Sequence, residues 1–173
     1  NRISFGLQST DNKVLKMLGR IHTYEDFIQS LDIARRAGFT NISADIMSAL
    51  PGQSVNDYVN TLNTVAGLGL QHISAYSLIV EEDTHLYEHL KDYPPLPDED
   101  AERNMYHVTE DILAGAGFYR YEISNYAKPG FESRHNKSYW ELTDYIGIGL
   151  GASGFYKGKR YSNTSDIKTY IDG

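Results

Sequence analysis

The rhythm of the first eighty residues constrains the fold most. Three β-type runs, residues 2–7 (RISFGL), 41–47 and 72–80 (HISAYSLIV), are separated by one helical region each. In the second run Ile42, Ala44 and Ile46 alternate with Ser43 and Asp45, the period of two that a strand imposes. Residues 11–18 predict a short helix. A stronger one spans 24–37, with Tyr24, Phe27, Ile28, Leu31 and Ala34 on one stripe. Thr23 can serve as its N-cap and Gly38 as its C′ residue. After the break at Pro51-Gly52, Ser54 can cap a third helix whose buried stripe is Val55, Tyr58, Val59, Leu62, Val65 and Ala66, ended by Gly67 and Gly69. Strands joined through helices run parallel, so this βαβαβ order predicts an α/β fold with a parallel sheet.

The pattern changes after residue 80, which divides the chain into an expected 1–80 and 81–173. Residues 81–93 are polar, with a short helix near 86–90. Pro94, Pro95 and Pro97 form a stiff turn before a long helix at 98–114, striped by Ala101, Met105, Val108 and Ile112. Short Gly- and Tyr-rich pieces follow at 119–123, 145–148, 154–157 and 160–163. They predict an antiparallel or irregular layer rather than another βα repeat.

Composition narrows the classes of function. At 173 residues and 40% hydrophobic the chain can bury a core without disulfides. It contains no cysteine, which excludes thiolate zinc or iron–sulfur ligation by these residues and fits a cytoplasmic origin. A net charge of −7 argues against nucleic acid as the main partner, and Lys157-Gly158-Lys159-Arg160 reads as a charged hairpin tip. No apolar run reaches the length of a membrane span. The start at Asn1, directly in a strand-like run, is expected to reflect truncation, and the strand edge left open would favour a homodimer.

Functional groups in parallel α/β barrels lie at the carboxyl ends of strands and in the loops that follow. Gln8 follows the first strand, Asp45 lies near the end of the second, and Arg20 lies in the connection between them. Each also has a plain reading, Gln8 as a loop residue, Asp45 as an interior carboxylate and Arg20 as its surface partner. His135 precedes Tyr139 and Trp140. A neutral imidazole can ligate haem iron and the two aromatics can face a macrocycle, or the group can simply cap and pack. His22, His72, His85, His89 and His107 form no ligand cluster in the sequence, although His85 and His89 are one helical turn apart.

Several blocks carry a resemblance. Residues 1–9 (NRISFGLQS) resemble the NRxSxGxQS block of the oxygen-independent coproporphyrinogen III oxidase family of radical S-adenosylmethionine (SAM) proteins. Residues 18–22 (LGRIH) resemble its LGRxH block, 41–53 (NISADIMSALPGQ) its NxxxDLIxGLPGQ block, and 72–78 (HISAYSL) its HISxYxL strand. Residues 121–127 (YEISNYA) and 147–153 (GIGLGAS) match further family blocks. Residues 135–140 (HNKSYW) resemble the HNxxYW block of the family's haem-chaperone branch.

The resemblance implies the C-terminal part of a partial (β/α)6 radical SAM barrel, strands four to six, followed by a small mixed α+β layer. It implies S-adenosyl-L-methionine and a [4Fe–4S] cluster as cofactors, with the CxxxCxxC ligands outside these residues. Gln8, Arg20 and Asp45 match positions lining the SAM pocket, and Ile79 one that packs beside the adenine. His135 is implied as a haem ligand, with Tyr139 and Trp140 beside it, and no catalytic residue is assigned. The leading implied function is haem binding and transfer, with haem or porphyrin and a haem-accepting protein as partners. Oxidative decarboxylation of coproporphyrinogen III to protoporphyrinogen IX is the second reading, and a ligand-binding α/β domain without radical chemistry the third. Without cysteine these residues alone are not expected to cleave SAM.

Overall fold

The computed structural model describes residues 1–172. The chain divides into two compact units, Asn1–Glu132 and Ser133–Gly173. In the first, β1 (Ile3–Gln8), α1 (Asn12–Met17), α2 (Tyr24–Arg36), β2 (Ile42–Ser48), α3 (Val55–Ala66) and β3 (His72–Ser77) follow the anticipated order. Then come α4 (His85–Glu88), a 3-10 turn (Leu90–Asp92), α5 (Glu99–Gly115), β4 (Tyr119–Arg120) and β5 (Asn125–Ala127). One sheet holds all these strands in the order β1-β2-β3-β5-β4. β1, β2 and β3 are parallel, whereas β5 runs antiparallel to both β3 and β4.

Strand alternation gives the sheet two unlike faces. Leu7, Ile42, Ala44, Ile46, Ile73 and Tyr126 form a core with Phe27 and Leu31 of α2, Tyr58 and Leu62 of α3, and Met105 and Leu113 of α5. The opposite face carries Ser4, Gly6, Asp45 and Ser74, with Gly6, Asp45 and Ser74 side by side across three strands. One half of each strand's residues is thus committed to packing, and the other half is left for polar chemistry.

Two helices begin with full capping boxes. The Thr23 hydroxyl accepts from the Asp26 N–H while Asp26 accepts from the Thr23 N–H, and Ser54 and Asp57 repeat the arrangement. These bonds hold Asp26 and Asp57 below the usual carboxylate range. Ser54→Ala is therefore expected to lower stability by about 0.5–2 kcal/mol, measured by urea denaturation at neutral pH.

The first unit departs from the expected elements in two places. β3 stops at Ser77 instead of running to residue 80, because its neighbour β2 ends at Ser48 and Ala49 turns into the left-handed region at φ 57°. The expected strand at 119–123 is a hairpin instead. The Glu122 carboxylate accepts from the Ser124 N–H at 3.1 Å and from the Asn125 side chain, which turns the chain back into β5. Residue 80 lies inside the first unit, where β5 pairs with β3.

The second unit contains α6 (Arg134–Trp140), the hairpin β6 (Ser153–Tyr156) and β7 (Lys159–Ser162), and α7 (Ile167–Asp172), a helix the sequence reading missed. Lys157 and Gly158 join the hairpin strands with φ of 50° and 74°, the positive values a tight two-residue turn requires. Residues 145–148 are not a strand, since only Tyr145 bridges to Phe155. The glycine segment is pinned by side chains instead. Tyr161 accepts from the Gly147 N–H at 3.0 Å, and the Asn163 amide donates to the Gly149 carbonyl at 2.8 Å. Among the described residues no helix is long and apolar enough to cross a membrane.

Candidate functional site

A cleft of about 590 Å³ opens in the first unit at the carboxyl ends of β1, β2 and β3. Gln8, Arg20, Met47, Tyr76 and Ile79 line it, with His85 at the start of α4. That volume suits a nucleoside-sized ligand.

Gln8 ends β1 in the left-handed region, at φ 69°, and a register shift between Gly6 and Gln8 turns it out of the ladder. A non-glycine residue held there stores strain, which persists only where surrounding contacts fix it. The contacts are specific. The Tyr76 hydroxyl donates to Gln8 Oε1 at 3.1 Å. Burial, reinforced by Asp45, pushes the Tyr76 pKa up, so the hydroxyl keeps its proton and remains a donor. The other end of the amide lies against the strand, where a β-carbon on Gly6 would stand 2.9 Å from Gln8 Nε2 and 3.5 Å from the Arg20 guanidinium. Among the described residues Arg20 reaches the Gly6 carbonyl, at 3.5 Å, which leaves most of its five donors for a ligand.

Asp45 is not part of the cleft lining. It lies on the polar sheet face in the middle of β2, between Gly6 and Ser74 in register, and accepts from the Ser4 hydroxyl at 3.2 Å. The plain reading that pairs it with Arg20 is not met, since the carboxylate accepts from Ser4 instead. Ile79 stands at the cleft rim, 75% exposed, an apolar surface with no core to fill.

The polar face also carries a group that sequence reasoning left without a role. His72 is buried, with Nδ1 2.7 Å from the Ser43 hydroxyl and Nε2 2.8 Å from the Tyr121 hydroxyl. Burial, and then the charge of Arg2, pushes its pKa down to about 3, so the ring is neutral. Ser43 and His72 are register partners on neighbouring strands, a pairing the parallel order could have revealed. Tyr121 arrives from the missed hairpin and had no such signal.

In the second unit, His135 lies on α6 with Nε2 3.0 Å from the Tyr139 hydroxyl, the rings meeting edge to face at 4.9 Å. Trp140 is 57% exposed and Tyr139 38% exposed. His85 and His89 stack at 4.2 Å, and His89 Nδ1 is 3.0 Å from the His85 carbonyl. No group of three or more His, Cys, Asp or Glu arranged for a metal occurs among the described residues.

Residues 1–65 match the profile of the Radical SAM superfamily. Over 99% of its length the chain is 42% identical to the haem chaperone HemW of Bacillus subtilis, of which it covers 46%. It is 39% identical to the haem chaperone HemW of Escherichia coli, over 89% of this chain and 40% of that protein. The chain thus spans about half the length, or less, of these curated relatives. The solved structure of the radical SAM enzyme coproporphyrinogen III oxidase (HemN) from Escherichia coli matches 99% of this chain and 42% of its own, with a TM-score of 0.78 and 22% identity. That likeness shows the fold. Residues 1–65 thus carry the sequence pattern of the radical SAM superfamily. Within that superfamily the chain resembles the HemW haem chaperones, in the coproporphyrinogen III oxidase-like group.

The superfamily implies SAM and a [4Fe–4S] cluster. SAM fits the cleft, because Gln8 and Arg20 offer amide and guanidinium donors beside the apolar surface of Met47 and Ile79. The cluster finds no ligands here, since thiolates hold such clusters and these 173 residues contain no cysteine.

Proposed function

We propose that the chain is the part of a haem-binding and haem-transfer protein that combines a SAM pocket with a haem ligand. In this reading residues 1–80 supply the radical SAM barrel portion and residues 81–173 the accessory layer. Arg20 holds the SAM carboxylate with paired donors, Gln8 its polar groups, and Ile79 packs on the adenine, while Asp45, on the polar sheet face outside the cleft lining, takes a hydroxyl or ammonium only where the ligand reaches past the cleft onto that face. When bound, SAM supplies a reductively cleavable sulfonium. The residues of this chain bind and orient it, and no proton transfer is assigned to them. Haem is cargo, His135 its iron ligand, and Tyr139 and Trp140 the aromatic surface beside the macrocycle. A haem-accepting protein and a second copy of the chain complete the partners of this reading.

The placement of His135 supports it most: an exposed imidazole on α6 with two half-exposed aromatics on the same short helix. Relatives named as haem chaperones give the same direction. Decarboxylation of coproporphyrinogen has in its favour only the fold shared with HemN. Haemin titration of the intact protein tests the proposal. His135→Ala is expected to weaken binding at least about tenfold and to remove the histidine-type Soret band, since a metal–ligand bond is lost. An unchanged band and affinity would remove His135 as the ligand.

A further inference from the structure

In the second unit the imidazole assigned to haem already has a partner. His135 Nε2 lies 3.0 Å from the Tyr139 hydroxyl, one helical turn on. Tyr139 is itself held in place, because its ring packs edge-on against Tyr145 at 4.9 Å and 82°. Tyr145 in turn exchanges both backbone hydrogen bonds with Phe155 of β6, at 2.7 and 2.9 Å. The hydroxyl is therefore carried on a wall rather than on a free side chain.

The two ring nitrogens are not equivalent towards a macrocycle. Nδ1 is bonded to the carbon that bears Cβ, so a porphyrin plane placed across it would run into the residue's own backbone and helix. Nε2 is at the far end of the ring and can meet iron without that collision. Whichever atom carries the proton in the His135–Tyr139 hydrogen bond, the Nε2 lone pair is not free while that bond lasts.

We infer that Tyr139 is a positioning residue that caps the haem-ligating nitrogen of His135 and competes with iron for it, keeping haem binding exchangeable. This rests on the reading of His135 as the haem ligand. Iron entry then exchanges one partner of Nε2 for another, and on release the Tyr139 hydroxyl returns to the nitrogen. A protein that hands haem on gains from such a cap, because the hydroxyl offers the nitrogen a partner in place of iron and so favours release.

Tyr139→Phe removes the hydroxyl and keeps the ring that packs on Tyr145. Haemin titration and transfer of haem to apomyoglobin are compared for the intact wild-type protein, Tyr139→Phe and His135→Ala. The expected result is haemin binding tightened about two- to tenfold in Tyr139→Phe, transfer slowed by a similar factor, and a Soret band still of the histidine type, as loss of one competing hydrogen bond requires. Unchanged or weaker binding in Tyr139→Phe, with binding lost in His135→Ala, would overturn the cap and leave the ligand assignment standing. Unchanged binding in His135→Ala would overturn the ligand and the cap together.

Discussion

Gly6→Val is expected to weaken SAM binding by the intact protein about a hundredfold while leaving the fold in place. A β-carbon at this position stands 2.9 Å from Gln8 Nε2 and 3.5 Å from the Arg20 guanidinium, and both are the far ends of flexible side chains. They give way before the backbone does, Gln8 only by breaking its bond to the Tyr76 hydroxyl, so the sheet does not have to move. Valine also suits a strand, and Gly6 is on the polar face rather than in the core. What moves is the pair of groups assigned to the ligand. Losing one charge-assisted contact and one neutral hydrogen bond costs about 3 kcal/mol, which is about two orders of magnitude in affinity. Calorimetric titration with SAM checks this, and Gly6→Ala should give a weaker form of the same defect. Wild-type affinity in Gly6→Val, with a normal unfolding midpoint, would remove Gln8 and Arg20 from the SAM site.

His72 makes the first unit sensitive to mild acid. Its pKa falls from the ordinary 6.5 to about 3 in the folded chain, because burial and Arg2 disfavour the imidazolium. Between those values the unfolded chain binds a proton that the folded chain refuses. Stability therefore rises with pH across that window and falls as the solution is acidified. Between pH 7 and pH 5 the loss should be about 2 kcal/mol, most of it below pH 6.5. The depressed carboxylates act lower down. Glu25, Asp26 and Asp57 start from 4.5, 3.8 and 3.8, and their contribution is lost only as pH drops through and below those values. Urea midpoints of wild type and His72→Gln, measured from pH 7 to pH 5, separate the two groups. The wild-type curve should fall more steeply. Parallel curves would mean that His72 takes up its proton in the folded state as readily as in the unfolded one.

The parallel half of the sheet was legible because it is written in short-range periods. Ile42, Ala44 and Ile46 state the buried face of β2, and the Leu31 and Leu62 stripes state the helices that cover it. The caps Thr23 and Ser54 were readable for the same reason, since the residue and its partner are three positions apart. What depended on distant pairs was not. The hairpin that creates β5 is fixed by pairing Asn125, Tyr126 and Ala127 with Ser74, Ile73 and His72 of β3, far back along the chain, which β-propensity at 119–123 hides. In the site, Gln8, Arg20 and Ile79 line one cleft: Gln8 ends β1, Arg20 lies in the connection after α1, and Ile79, marked only by the family resemblance, follows β3. Asp45, assigned to the SAM pocket by the resemblance, lies on the polar sheet face by the strand's alternation and accepts from Ser4. Tyr76 was unmarked because its use depends on an amide sixty-eight residues away.

The grip on Gln8 has one more consequence. Its amide is clasped by a phenol on one flank and a bare strand on the other, and both are set when the sheet forms. The entropy of ordering that side chain is thus charged to folding, and a ligand arriving later meets a template already cast. Such a template selects by fit. A molecule that presents its polar groups a little differently cannot recruit the amide by bending it, so discrimination at this end of the cleft is rigid, and tolerance has to come from the mobile guanidinium of Arg20.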